Sequence, residues 1–215
     1  MVMKSHKIAF TKTGQFSQLF LDYIQGDEKL LSFYSKKPKL NSILESIPNY
    51  SDFDRSKIKS VLAEQHSVLP LTEKQKKNLN ALSRANSYTI TTGHQLQLLG
   101  GPLFFFYKII STINLCKLLK EASPENEFIP VFWMASEDHD FAEINHINLF
   151  GKTFVWDSEQ KGGVGRFSLL DLANWLDDIP DLPIEIRRSF DSCNNLSEAI
   201  RKFVNHQFGV DGLLI

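Results

Sequence analysis

SYTITTGHQLQLLGGPLFFFYKIISTINLCKLL, residues 87–119, passes from one structural grammar to another. Its first letters carry the β-branched and aromatic residues of a short strand, and its last place apolar side chains all along a long helix. Between them lies TTGHQLQLLGGP, residues 91–102, with threonines, a histidine, a glutamine and two adjacent glycines. Turn chemistry alone needs only part of that list. A strand that runs through such a loop into a buried helix opens a β–α–β unit, so this stretch predicts an α/β fold with a parallel sheet.

Working outward, residues 16–86 read as helices separated by breakers. FSQLFLDYI, NSILESI, DRSKIKSVLAEQHSVL and TEKQKKNLNALSRA place apolar residues three or four apart, and Pro38, Pro48 and Pro70 punctuate them. Asp54 and Thr72 suit helix N-caps. Downstream, FIPVFWMAS and KTFVW are further short apolar runs separated by helical segments, the alternation of a parallel sheet with crossover helices. A glycine-rich turn, QKGGVGRF, then leads to helical stretches around LLDLANWLDDI and LSEAIRKFVNHQF. The last residues, GVDGLLI, read as another apolar strand with no helix to cover it, and the expectation is that this chain is the front part of a longer polypeptide. The expected organisation is a helical N-terminal segment, 1–86, packing on the first part of a core, 87–215.

Composition bounds the function. With 24 Lys and Arg against 25 Asp and Glu, no global field draws the chain to nucleic acid or an anionic membrane. The two cysteines, Cys116 and Cys193, lack metal-type spacing, and the absence of a long apolar run or secretory signal leads to the expectation of a soluble, cytoplasmic protein.

Two motifs carry chemistry. Ligands of open α/β sheets gather at the carboxyl ends of the strands, where TTGHQLQLLGGP is expected. Gly93 would allow a sharp turn after the strand, and Gly100 and Gly101 a close backbone approach to a ligand. Pro102 suits the first helical position, so the helix start would offer unpaired N–H groups to an anion. Thr91, Thr92, His94 and Gln95 add donors, and Lys108 can reach back toward them. The alternative is a glycine-rich loop whose polar groups satisfy one another.

In the second, FIPVFWMASEDHDFAEINHINLF, residues 128–150, an apolar strand delivers Glu137, Asp138, His139 and Asp140 together. Were a helix to start near Asp138, then His139, Glu143 and His146 would share one face. Carboxylates beside a histidine serve general acid/base work or a divalent cation; the alternative is an acidic helix cap. The histidines are seven residues apart, against the four of a zinc-protease helix, and no catalytic zinc is expected. Arg166, in GGVGRF, offers a guanidinium to a carboxylate, or marks a surface turn.

Taken together, TTGHQ…GGPLFFFYK, PVFWMASEDHDFAEINH and GGVGRF resemble the bacillithiol biosynthesis cysteine-adding enzymes, the cysteine ligase family. DYI, the FY at residues 33–34 and FDRSKI extend the likeness through the helical lead-in, so that it covers nearly the whole chain. Family members are more than twice this length. The resemblance implies a Rossmann-like core akin to nucleotidylyltransferases, continued elsewhere by a coiled-coil region that dimerises and binds nucleotide. It implies amide formation between the carboxyl of cysteine and the amine of glucosaminyl malate. On it, Asp138, His139 and Asp140 are candidate catalytic residues. Thr92, Gly93, His94, Gln95, Gly100, Gly101, Lys108, Glu137, Asn145, His146 and Arg166 are candidates for substrate binding. The residues name no activating cofactor; a nucleotide held by the remainder of the family's chain is the implied one. His94 departs from the family's usual glutamine, which puts in question any role there that needs an amide. Two other readings stay open: a divalent-metal hydrolase or transferase, and a non-catalytic fragment that keeps only the substrate cleft.

Overall fold

The computed structural model of the protein describes residues 4–47 and 53–215, so Pro48 lies outside the described residues. Chain contacts divide it into two compact units, Met1–Ser51 and Asp52–Ile215. The first holds two short helices, α1 (Gln18–Gln25) and α2 (Leu40–Leu44), neither with a buried residue. Ser17 caps α1 by accepting from the Phe20 N–H, and Gly26 ends it at φ 74°, a left-handed position that glycine occupies without steric cost. Phe10, Phe16 and Phe20 form a small aromatic cluster with ring centroids 4.7–5.5 Å apart.

The second unit opens with α3 (Arg55–Gln65) and α4 (Glu73–Ala81), capped by Asp54 and by a reciprocal Thr72–Gln75 capping box. Strand β1 (Ser87–His94) pairs in parallel with β2 (Glu127–Met134), Ser87 opposite Glu127 and His94 opposite Met134. The connection between them is α5 (Phe104–Ala122), which buries Phe105, Ile109, Thr112, Ile113, Cys116 and Leu119 along one stripe. Burial pushes the Cys116 thiol up to about 12, so it serves as a small apolar side chain. The other edge of β2 takes Leu214, whose N–H donates to Pro130 O at 3.0 Å and whose carbonyl accepts from Phe132 N at 2.8 Å. The terminal apolar run therefore does lie along the sheet, in parallel with β2.

Side-chain alternation gives the sheet two faces. Phe132 joins the larger core, formed by α5 and by α9 (Leu196–Phe208) with Leu196, Ala199, Ile200, Phe203, Val204 and Phe208. Ile129 and Leu214 face the other way, against Leu79, Ala81 and Leu82 at the end of α4.

Three expectations are corrected. KTFVW is not a parallel strand: β3 (His146–Leu149) and β4 (Lys152–Val155) form a separate antiparallel hairpin. Its turn residues, Phe150 and Gly151, both adopt positive φ, 52° and 74°, and this reverses the chain at once. The helix after the acidic block is only α6 (Phe141–Ile144), and His146 already belongs to β3. Asn145 O accepts from Trp156 N at 2.6 Å, so the returning strand takes the carbonyl that a continuing helix would use. Finally, Gly93 lies inside β1 opposite Trp133, and α5 starts at Phe104, past Pro102. The short α7 (Leu172–Asp177) and α8 (Ile184–Arg188) complete the chain's helices among the described residues.

Candidate functional site

Both motifs arrive at the carboxyl ends of adjacent strands, because β1 and β2 are paired in register up to His94 and Met134. Ala135 N donates to His94 O at 3.1 Å, which carries the pairing one step into the acidic block. Beyond it the chain turns tightly, with Asp138 N donating to Ala135 O at 3.3 Å and Asp140 N to Asp138 Oδ1 at 3.0 Å. The Gln95 amide then joins the two motifs: its Nε2 donates to Asp138 Oδ2 at 3.0 Å and to Glu143 Oε2 at 2.7 Å. Those contacts, the Asp140 N–H first and the Gln95 amide next, hold the Asp138 carboxyl below its ordinary range. Asp138 is thus a fixed carboxylate, flanked by the exposed Glu137, His139 and Asp140.

The glycine-rich turn supports this cluster from behind. Val164 N donates to Asp138 O at 2.8 Å and Gly165 N to Ser136 O at 3.0 Å. A Cβ on Gly165 would overlap Ser197 Oγ and stand 2.6 Å from Ser136 O, so only glycine lets the turn lie this close. Arg166, exposed, follows Gly165 in this 3-10 turn. The backbone of QKGGVGRF thus has a positioning part that its glycines hinted at without revealing.

Within the first motif, the two paired glycines approach the protein's own side chains. A Cβ at Gly100 would stand 2.5 Å from Phe106 Cζ, and one at Gly101 2.6 Å from Gln97 Oε1. Gln97, absent from the sequence-based candidates, is buried and reaches across to Glu143 O at 3.3 Å. Lys108 does fold back as expected, donating from Nζ to Gly93 O. Its ammonium also lies 5.5 Å from the Phe104 ring centroid. His94 packs edge-on against Phe105 at 5.4 Å, and its Nδ1 is buried with no partner among the described residues. Burial first, and the neighbouring Lys108 ammonium second, lower the His94 pKa, so the ring favours the neutral form. Thr92 sits opposite Phe132 in the sheet.

On the hairpin side, His146 Nδ1 lies 3.1 Å from Asn145 Oδ1. A cleft of about 370 Å³ is bounded there by Gln97, Gly101, Pro102, Glu143, His146 and Asn148. The structure therefore brings Gln95, Asp138 and Glu143 into direct contact, with His139 and Asp140 next to Asp138 in the chain. His146 stands apart from the helical face on which it was expected. Among the described residues, no three His, Cys, Asp or Glu side chains come together as a metal-holding group.

Polar groups collected at the carboxyl ends of parallel strands, beside a glycine-rich loop, are the arrangement of a Rossmann-like protein. The family description "Bacillithiol biosynthesis BshC, N-terminal Rossmann-like domain" matches residues 3–215, and the chain belongs to that family. It is 39% identical over 211 residues to a protein of Cytophaga hutchinsonii named "Putative cysteine ligase BshC", covering 97% of this chain and 40% of the relative. A protein of the same name from Flavobacterium johnsoniae is 39% identical over 228 residues, covering 99% of this chain and 43% of that relative. One from Bacillus cereus strain G9842 is 32% identical over 173 residues, covering 74% and 31%. The chain thus spans about two-fifths of the length of the first two relatives. No helix among the described residues is long and apolar enough to cross a membrane.

Proposed function

We propose that this chain forms the Rossmann-like part of a cytoplasmic ligase that joins the carboxyl group of cysteine to the amine of glucosaminyl malate, completing bacillithiol. The observation that carries the reading is the Gln95 bridge to Asp138 and Glu143, which ties both motifs into one site in a chain of the cysteine ligase family. In this reaction the amine nitrogen bonds to the cysteine carboxyl carbon, a carboxyl oxygen departs with its electron pair, and the amine gives up a proton. His139, exposed beside the fixed Asp138 carboxylate, is the group that takes the proton, with Asp138 and Asp140 orienting it. The group that activates the carboxyl is left open. A nucleotide held by the remainder of the family's length, which also dimerises, is the arrangement we favour, and the 215-residue chain alone is expected to be inactive.

Cysteine-dependent consumption of glucosaminyl malate, followed by mass spectrometry in a ligase of full family length that carries this chain, tests the proposal. His139→Ala is expected to lower kcat on the order of 10²- to 10⁴-fold without altering the fold. Near-normal turnover by that variant would return the acidic block to a capping role.

A further inference from the structure

The face of the sheet opposite α5 is only partly covered. At its amino end α4 packs over Ile129, while toward the carboxyl end Thr89, Thr91, Val131 and Trp133 line a cleft of about 630 Å³ beneath α3. Register explains the arrangement. Thr89, Thr91 and Gly93 stand opposite Ile129, Val131 and Trp133 and share their face, and Gly93 leaves the indole's strand partner without a side chain. Trp133 is 63% exposed, although the chain's other two tryptophans, Trp156 and Trp175, are 1% and 6% exposed. Such a ring, one residue from the carboxyl end of β2, is largely open to solvent.

The cleft's charges are arranged as well. Lys57 from α3 and Arg201 from α9 line it, and neither forms a salt bridge with an Asp or Glu side chain among the described residues. Arg201 is half-buried, and among the described residues its side chain donates from one guanidinium nitrogen, to Ile215 O at 2.8 Å. Two cations without an Asp or Glu salt-bridge partner, one of them partly desolvated, attract carboxylates. Gln65, Thr89 and Thr91 supply hydroxyl and amide groups to the wall, and the cleft runs on to Ser136 and Glu137, where the acidic block begins.

We propose that this cleft binds an anionic sugar: a pyranoside that carries carboxylates and a free amine. The apolar C–H face of the sugar ring lies on the electron-rich face of Trp133, with its hydroxyls toward Thr89, Thr91 and Gln65. The carboxylates go to Lys57 and Arg201, and the ammonium points to Glu137, next to Asp138 and His139. This site rests on the ligase reading for its ligand, glucosaminyl malate, and it adds which surface receives that substrate. Complementarity holds at both ends, cations for the acid groups and an acid for the amine.

Because Trp133 is the exposed tryptophan, its emission reports the site directly. Titrating glucosaminyl malate into the 215-residue chain is expected to shift and saturate that emission, with glucosamine binding at least tenfold more weakly. Lys57→Glu, on an exposed position, is expected to weaken glucosaminyl malate on the order of tenfold, and Trp133→Leu to abolish the signal while calorimetry shows weaker binding. Calorimetric affinity that neither variant changes would overturn the site, as would equal affinity for glucosamine or the absence of any binding. A nucleoside triphosphate that competes at lower concentration than the sugar would also overturn it, by giving the cleft to a nucleotide. Turnover in a ligase of full family length separates this from the reaction itself. Product made by Lys57→Glu and Trp133→Leu at unchanged KM for the sugar rejects the site and keeps the ligase. Saturable, variant-sensitive sugar binding without any amide product supports the site and rejects the ligase.

Discussion

One amide nitrogen, Nε2 of Gln95, spends both its hydrogens on carboxylates, Asp138 at 3.0 Å and Glu143 at 2.7 Å. A neutral donor suits that position because it draws two acids together without pairing off their charge, and Asp138 stays ionised for work on a substrate. Gln95→Glu keeps the shape and replaces the donor with a third acid. The Asp138 pKa is then expected to rise, since one stabilising hydrogen bond becomes a like-charge repulsion, and carbon-detected NMR titration of the Asp138 carboxyl measures it. Thermal unfolding near neutral pH should change little, because Gln95 is only half-buried and Glu143 is exposed. An unchanged Asp138 titration would show that the backbone N–H groups of Asp140 and His139 suffice. Gln95 was legible as a polar residue in a suspicious loop. Its reach across to the second motif was not, since nothing in a linear sequence says which strand ends become neighbours.

At the scale of elements, the site depends on the 3-10 turn Val164–Arg166 and its preceding Gly163 lying against the Ser136–Asp138 backbone, and the two glycines, Gly163 and Gly165, have different reasons to be there. A Cβ on Gly163 would find its nearest atoms at 3.5 Å, ordinary contact, whereas one on Gly165 would overlap Ser197 Oγ and meet Ser136 O at 2.6 Å. Gly165→Ala is accordingly expected to cost about 1–3 kcal/mol and to displace the acidic turn, while Gly163→Ala is nearly neutral. Denaturant unfolding of the pair checks this, and equal midpoints would mean that the turn yields freely. The elements that sequence reading placed best, β1, α5 and β2, are those whose apolar period is long. The hairpin was misread because a β-branched run looks the same in a parallel or an antiparallel pair. Its turn begins with Phe150 at φ 52°, a residue type that carries none of the usual turn signal.

Across the whole second unit, α3 and α4 hold the terminal segment onto the sheet by polar contacts that no periodicity reveals. Gln75, fully buried, donates to Asn205 Oδ1 at 2.7 Å and to Leu213 O at 2.8 Å. Asn78 donates to Gly212 O at 2.7 Å, supplying the donor that Pro130, lacking an N–H, cannot give across the sheet edge. His66 completes the set: Nδ1 lies 2.7 Å from Leu62 O and Nε2 3.0 Å from Ile215 N. An acceptor is needed for the Ile215 N–H, so Nε2 is unprotonated, Nδ1 carries the hydrogen and the ring is neutral. Burial, countered in part by the Leu62 carbonyl, lowers the His66 pKa from 6.5, and the Arg201 cation lowers it further. In the unfolded chain the imidazole titrates at its ordinary value, so below pH 6.5 the unfolded state binds the extra proton first. His66 therefore contributes stability that is full above pH 6.5 and is lost as pH falls toward its folded pKa; His94, also lowered, acts in the same direction. Thermal midpoints of the chain are expected to fall between pH 6.5 and 5, above the range where carboxylates protonate, and His66→Gln, which retains an acceptor for Ile215, to flatten that part of the profile. The residual slope then belongs to His94, and a double variant with His94→Gln should remove it. A profile as steep in the double variant as in the wild type would show that neither buried imidazole couples folding to pH.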